Sequence, residues 1–270
     1  MATAGPDEAA ARDALSTGSR ARRRRHFWRA LPGGPRCKLC TAPMGGLAGT
    51  PLRLLGKGPW PGNPKYCRWC FRALYQHRAG AEVACTLLFA DIRGSTGLAE
   101  SQSSREFRAL LDRFYNAAVE ILVEHDAVVD KFVGDEVIGI FVPALSGAEH
   151  AQQAVDAGLA LLGATGHGTD TPWAPIGVGV NTGVAYVGAV GTAEHVEFTA
   201  LGDPVNVTAR LATEASAGEL LVTDAAARAA GIDGEGLERR TLDLKGKSES
   251  TDVLVMRVEA GGAAGGAAPA

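Results

Sequence analysis

From Val83 to Ala90 the chain is apolar at every position except Thr86, a run that predicts a buried strand. Between Ser101 and Glu124 the apolar residues Phe107, Leu110, Leu111, Phe114, Ala118, Ile121 and Leu122 recur at the period of a helix. Two apolar runs follow, Val128–Val133 and Val137–Val142, separated by Gly134-Asp135-Glu136, which predicts a hairpin turning at Gly134-Asp135. Ala148–Leu162 is again helical in period. Ile176–Val180, Ala185–Val190 and Val196–Leu201 read as strands punctuated by Gly183 and Gly191. Asp203-Pro204 has the chemistry of a helix start, Asp as N-cap and Pro at the first helical position, for a helix to about Ala215. Short strands are expected at Leu220–Val222 and Val253–Val258. Strands alternating with helices, together with hairpins, predict an α/β fold with a mixed sheet covered by helices.

The 270 residues allow one domain of about 150–200 residues and a small module beside it. With 46% hydrophobic and 21% charged residues, a wholly disordered or fibrous chain is excluded. No apolar run approaches a membrane span and the N-terminus has no secretory apolar region, so a cytoplasmic protein without membrane partners is expected. The net charge of −3 hides an asymmetry. Residues 1–80 carry 15 Lys and Arg against 3 Asp and Glu, and residues 81–270 carry 12 against 27, which sets a domain boundary near residue 80. Residues 1–26 are rich in Ala, Gly and Arg and are expected as a disordered basic arm. Residues 27–80 form a small module with its linker, 83–258 the main domain, and 259–270 a Gly/Ala tail.

The module is marked by Cys37-x2-Cys40 and Cys67-x2-Cys70, 26 residues apart. Two such knuckles fit a tetrahedral site of four cysteine thiolates for structural Zn2+, preferred over an iron–sulfur centre or redox dithiols. The residues between them are too rich in Pro, Gly and Lys to form much core, so the metal would supply most of the folding energy. Cys85, inside the first long strand, reads as a small buried residue. Trp60 and Trp69 in a basic segment would suit nucleic-acid bases, and Tyr66–Arg78 reads as a connecting helix.

Asp91 closes the first long strand and opens Asp91-Ile92-Arg93-Gly94-Ser95-Thr96, while Asp135 sits on the hairpin tip. Two carboxylates so placed can converge on hard cations, and Gly94, Ser95 and Thr96 can offer backbone N–H groups to phosphate oxygens. On spacing alone, ordinary turn and cap roles for these Asp residues are the better reading. Taken in full, Thr86–Thr96, Lys131-Phe-Val-Gly-Asp-Glu136, Val180–Gly188 and Phe198–Arg210 resemble, in order, the signature blocks of class III nucleotidyl cyclases.

That resemblance implies a ferredoxin-like α/β domain acting as a homodimer on ATP. Two Mg2+ or Mn2+ would be held by Asp91, Asp135 and the Ile92 carbonyl. Lys131 and Thr199 would read the base, Asn206 would orient the ribose and Arg210 would meet the phosphate in the transition state. Lys245, in Leu244-Lys-Gly-Lys247, would hold the terminal phosphates. Lys131 with Thr199 favours ATP over GTP, and Thr at this position also occurs in bicarbonate-responsive members. N-terminal modules in the family usually regulate, so a regulatory partner or ligand, or a dimer-positioning role, is preferred to nucleic acid for residues 27–80. The alternative is a silent cyclase-like domain serving a zinc-dependent nucleic-acid binder. The presence of Asp91, Asp135, Asn206 and Arg210 together favours the active enzyme.

Overall fold

The computed structural model describes Arg12, Leu15 and residues 19–60, 63–77, 80–192, 196–244, 247 and 250–258. A cysteine module comes first: helices α1 (Ser19–Ala30) and α2 (Gly46–Leu52), a short ribbon of β1 (Pro59–Trp60) and β2 (Asn63–Cys67), and helix α3 (Arg68–His77). The main domain then runs β3 (Gly80–Ile92), α4 (Ser95–Ser101), α5 (Ser104–Glu124), β4 (Val128–Val133), β5 (Glu136–Phe141), α6 (Pro143–Ser146) and α7 (His150–Ala164). It continues through β6 (Ile176–Gly191), β7 (Val196–Leu201), α8 (Asp203–Glu214), β8 (Leu220–Thr223), α9 (Asp224–Ala229), β9 (Glu238–Leu242) and β10 (Thr251–Met256). The eight-stranded sheet has the order β4-β5-β3-β6-β8-β10-β9, with β7 paired to β6; β6 and β8 are parallel and the other neighbours antiparallel. The mixed α/β architecture matches the expectation.

Strand β3 reads as unbroken apolar sequence because both of its faces are covered. Leu88, Ala90 and Ile92 pack with Phe114, Ala118 and Leu122 of α5 and with Ala154 and Leu161 of α7. Val83, Cys85, Leu87 and Phe89 face Val128, Ile140, Phe198 and Ala200, together with Tyr66 and Phe71 of the cysteine module. Cys85 is fully buried there. Helix α5 begins with a reciprocal capping box between Ser103 and Glu106.

Several expectations are corrected. The two strands expected around Gly183 are one 16-residue strand, β6. Its glycines are contact points rather than breaks: a Cβ on Gly183 would lie 2.8 Å from Pro204 Cγ, and one on Gly179 2.6 Å from the Ala212 nitrogen, so α8 can lie directly on β6 only over glycine. The connecting helix starts at Arg68, with Tyr66 in β2.

Residues 19–26, expected in a disordered arm, belong to α1, where Arg22, Arg25 and His26 have partners across the chain. Arg25 is buried and donates to the Leu39 carbonyl at 2.9 Å and the Ala127 carbonyl at 2.7 Å. Arg29 donates to the Val123 and Glu124 carbonyls, both at 2.9 Å, satisfying open acceptors at the C-terminal end of α5. The buried Asp126 carboxylate receives Arg22, His26 and Arg29 at 3.4, 3.0 and 3.7 Å. The Gly/Ala tail, 259–270, and most of residues 1–18 lie outside the described residues.

Candidate active site

In the β3–β5 register Asp91 faces Glu136, and on the other side Gly177 of β6. Strands β4 and β5 are joined by the two-residue turn Gly134-Asp135, with Gly134 at φ 61°. The register therefore sets the hairpin tip, with Asp135, beside the end of β3 that carries Asp91. Burial, and then the neighbouring Asp135 carboxyl, raise the Asp91 carboxyl to about 7. Burial followed by the Asp135 charge raises Glu136 to about 7 as well. The Arg93 guanidinium pairs with Asp91 and donates to the Thr213 carbonyl at 2.7 Å. From α5, the Tyr115 hydroxyl donates to the Gly134 carbonyl and its ring stacks on Phe132 at 4.4 Å, so α5 holds the hairpin at two points.

Asp91 at the strand end and Asp135 on the neighbouring hairpin tip offer carboxylate oxygens, a donor type that fits hard divalent cations. Asp91 thus lies at the end of β3 and Asp135 on the tip of the adjoining hairpin. Ile92 is the buried last residue of β3, paired with Ile176. Gly94, at φ 69°, precedes α4, and Ser95 and Thr96 form its first turn.

A second corner forms where β4 and β7 meet. The buried Thr199 hydroxyl donates to Asp130 Oδ2 at 2.7 Å, and Lys131 Nζ lies 3.5 Å from that same oxygen. Lys131 is exposed, so the pair presents one open cation and one recessed hydroxyl. Lys38 enters this corner from the cysteine module. Its ammonium donates to the Asp130 carbonyl at 2.5 Å and the Phe198 carbonyl at 3.3 Å, and lies 3.4 Å from Asp130 Oδ1.

Helix α8 buries Val207, Thr208, Leu211 and Ala212, leaving Asn206 exposed and Arg210 half-buried on one other face. Asn181 holds the start of that helix: its amide donates to the Pro204 carbonyl at 3.2 Å and its oxygen accepts from Thr223 at 2.9 Å. Asp203 is the first residue of the helix rather than its cap. Gly202, at φ 128°, takes the cap position, and the Asp203 carboxylate pairs with Lys247 Nζ at 2.7 Å. Among the described residues, Asn206 and Arg210 make no bond to Asp91 or Asp135. Lys245 lies outside the described residues.

The four cysteines of the module converge, with their sulfur atoms within 4.8 Å of one another. Cys40 and Cys67 are 3.8 Å apart, far beyond a disulfide and close to the edge of a tetrahedron built on Zn–S bonds of about 2.3 Å. The Cys67 N–H donates to Cys37 Sγ at 3.3 Å, the kind of backbone bond that orients a thiolate ligand. Hydrogen bonding from Cys37 draws the Cys40 thiol down to about 7. These residues fit a closed zinc site. Trp60 does not offer a free ring; it stacks on Phe71 at 4.7 Å, whereas Trp69 is exposed beneath Lys57.

Asp130, Lys38 and Tyr115 were not singled out from sequence. A lone carboxylate within the apolar Val128–Val133 run is a usable signal for Asp130. Lys38 and Tyr115 carry none, one being an ordinary knuckle residue and the other one more aromatic on a helix.

The sheet order, the paired carboxylates at the strand end and the helix bearing Asn206 and Arg210 define a nucleotidyl cyclase catalytic domain. The family described as the adenylate and guanylate cyclase catalytic domain matches residues 78–257, and the chain belongs to it. Adenylate cyclase 1 of Rhizobium meliloti (strain 1021) is 31% identical over 140 residues, which are 50% of this chain and 21% of that protein. Among solved structures, the guanylyl cyclase Cya2 matches at TM-score 0.59 and 26% identity, over 65% of this chain and 92% of that one. The adenylyl cyclase CyaB from P. aeruginosa matches at TM-score 0.55 and 29% identity, over 65% and 95% of the two chains. Curated relatives are longer; the aligned part is 36% of the adenylate cyclase of Anabaena cylindrica. Among the described residues, no helix is long and apolar enough to cross a membrane.

Proposed function

We propose that the chain is an adenylate cyclase, converting ATP to 3′,5′-cyclic AMP and pyrophosphate at sites shared between two copies of itself. The observation that carries this reading is the placing of Asp135, on the β4–β5 hairpin tip, beside the end of β3 that bears Asp91, in a chain that also has Lys131, Thr199, Asn206 and Arg210. Divalent cations bound by Asp91, Asp135 and the Ile92 carbonyl would lower the pKa of the ribose 3′-hydroxyl and neutralise the triphosphate. Backbone N–H groups from Gly94 to Thr96 are assigned to the phosphate oxygens, and Lys245 to the terminal phosphates. Asn206 positions the ribose, and Arg210 meets charge developing on the α-phosphate as pyrophosphate leaves. Lys131 donates to N1 of adenine and Thr199 accepts from its 6-amino group.

The resemblance to class III cyclases supports a homodimer with shared sites. Asp91 and Asp135 of one copy would work with Lys131, Thr199, Asn206 and Arg210 of the other, giving two equivalent sites. Zn2+ in the Cys37, Cys40, Cys67 and Cys70 cluster is assigned a structural role. The test is cyclic-nucleotide formation by the purified chain with Mn2+ or Mg2+, comparing ATP with GTP. Cyclic AMP formation that is lost on Asp91→Ala supports the reading. Absence of either cyclic product with both metals would remove it.

A further inference from the structure

Thr199 and Lys131 converge on a carboxylate that no cyclase motif assigned a part, and that carboxylate is in turn held by the cysteine module. Asp130 is 5% exposed at its side chain and Lys38 is 7% exposed. Asp130 Oδ2 takes the Thr199 hydroxyl at 2.7 Å, and Oδ1 faces the Lys38 ammonium at 3.4 Å. The module grips the same strand a second time through Tyr66, whose hydroxyl donates to Glu197 Oε2 at 2.9 Å and accepts from the Phe198 N–H at 3.0 Å. Lys38 follows Cys37 and Tyr66 precedes Cys67, so each cysteine knuckle places one side chain on the strand that carries Thr199.

A hydroxyl has one proton to donate and two lone pairs to offer. With its proton committed to Asp130 Oδ2, Thr199 can show an incoming base only lone pairs. Adenine presents an amino donor at position 6, guanine a keto acceptor. We propose that Asp130 is a specificity-determining residue and Lys38 its positioning partner: together they fix Thr199 as an acceptor and so select a 6-amino purine. This rests on the reading that Thr199 meets the base. Removing Lys38 takes away the ammonium at Oδ1 and its bonds to the Asp130 and Phe198 carbonyls, leaving only the exposed Lys131 at Oδ2, so the Asp130–Thr199 pair is no longer fixed. Once that bond is loosened, the Thr199 hydroxyl can turn outward, and the site then offers a donor to guanine O6.

The experiment measures kcat and KM for ATP and GTP with the whole chain and its Asp130→Asn, Lys38→Met, Lys38→Arg and Thr199→Val variants. Equilibrium binding of 3′-deoxy-ATP and 3′-deoxy-GTP, which lack the attacking hydroxyl, gives a readout independent of turnover. The ATP:GTP ratio of kcat/KM is expected to fall by about 10-fold or more in Asp130→Asn and Lys38→Met. The loss should lie mainly in KM for ATP, with the deoxynucleotide binding ratio moving in parallel. Lys38→Arg should return the ratio to within about threefold of the parent, since it restores the charge. If Asp130→Asn does not fold, the Lys38 pair decides. A ratio unchanged in Asp130→Asn and Lys38→Met, while Thr199→Val lowers it, overturns the proposal and leaves the reading of Thr199 standing. A ratio unmoved by Thr199→Val removes that reading, and this proposal with it.

Discussion

The Tyr66 hydroxyl donates to the Glu197 carboxylate at 2.9 Å, joining residues 131 positions apart across the boundary between the cysteine module and the cyclase sheet. That hydroxyl also receives the buried Phe198 N–H. Tyr66→Phe leaves that N–H without its acceptor, a loss of about 1–2 kcal/mol. In a chain of this size the midpoint of thermal unfolding should drop by about 2–6 °C. An unchanged midpoint would mean that the module does not hold β7.

Elemental analysis should find about one Zn2+ per chain, lost in Cys37→Ser/Cys40→Ser. Because the module's core depends on these sulfurs, the variant should lose protease resistance first within residues 27–77. Metal-free protein with four ordered, freely reactive thiols would count against the site.

Asp135→Ala and Arg210→Ala should each be nearly inactive, the second by about 10²–10³ in rate. Mixed and allowed to exchange subunits, they form heterodimers in which one site carries both lesions and the other neither. Activity should return to about half per heterodimer at most. A mixture as inactive as its parents, with exchange shown independently, would refute the shared site.

Cation affinity should depend on pH through Asp91. Its carboxyl sits at about 7 against an ordinary 3.8, so in the metal-free fold it holds a proton that a cation must displace. Mn2+ affinity measured by calorimetry should therefore rise by up to about tenfold per pH unit toward pH 7 and then flatten. The sign for stability is the opposite: the fold binds a proton that the unfolded chain releases, so metal-free protein loses stability as pH rises from about 4 to 7. Affinity that is flat between pH 6 and pH 8 would place Asp91 outside the metal site.

Much of the catalytic domain is legible without coordinates because its signals are local. The helical period of α5, the Gly134-Asp135 turn and the apolar run of β3 each follow from neighbours within a few residues. Strand β9 was not, since Glu238-Arg239-Arg240 is charged and its pairing with β10 and the Glu219–Arg240 ion pair at 2.7 Å are long-range. Nor was α1: four consecutive arginines look like solvated chain until Asp126 and the end of α5 are placed beside them.

The amino-acid order by itself determined the family, the two aspartates and the four cysteines, because motif chemistry and ligand spacing are properties of short stretches of chain. Only the tertiary structure decided what surrounds them. Asp130 beside Thr199, Lys38 beside Asp130 and Tyr66 beside Glu197 join residues 69, 92 and 131 positions apart. Such pairs arise from strand register and from docking of the module on the sheet. Buried hydrogen bonds then single out one arrangement, because each unpaired partner would be costly.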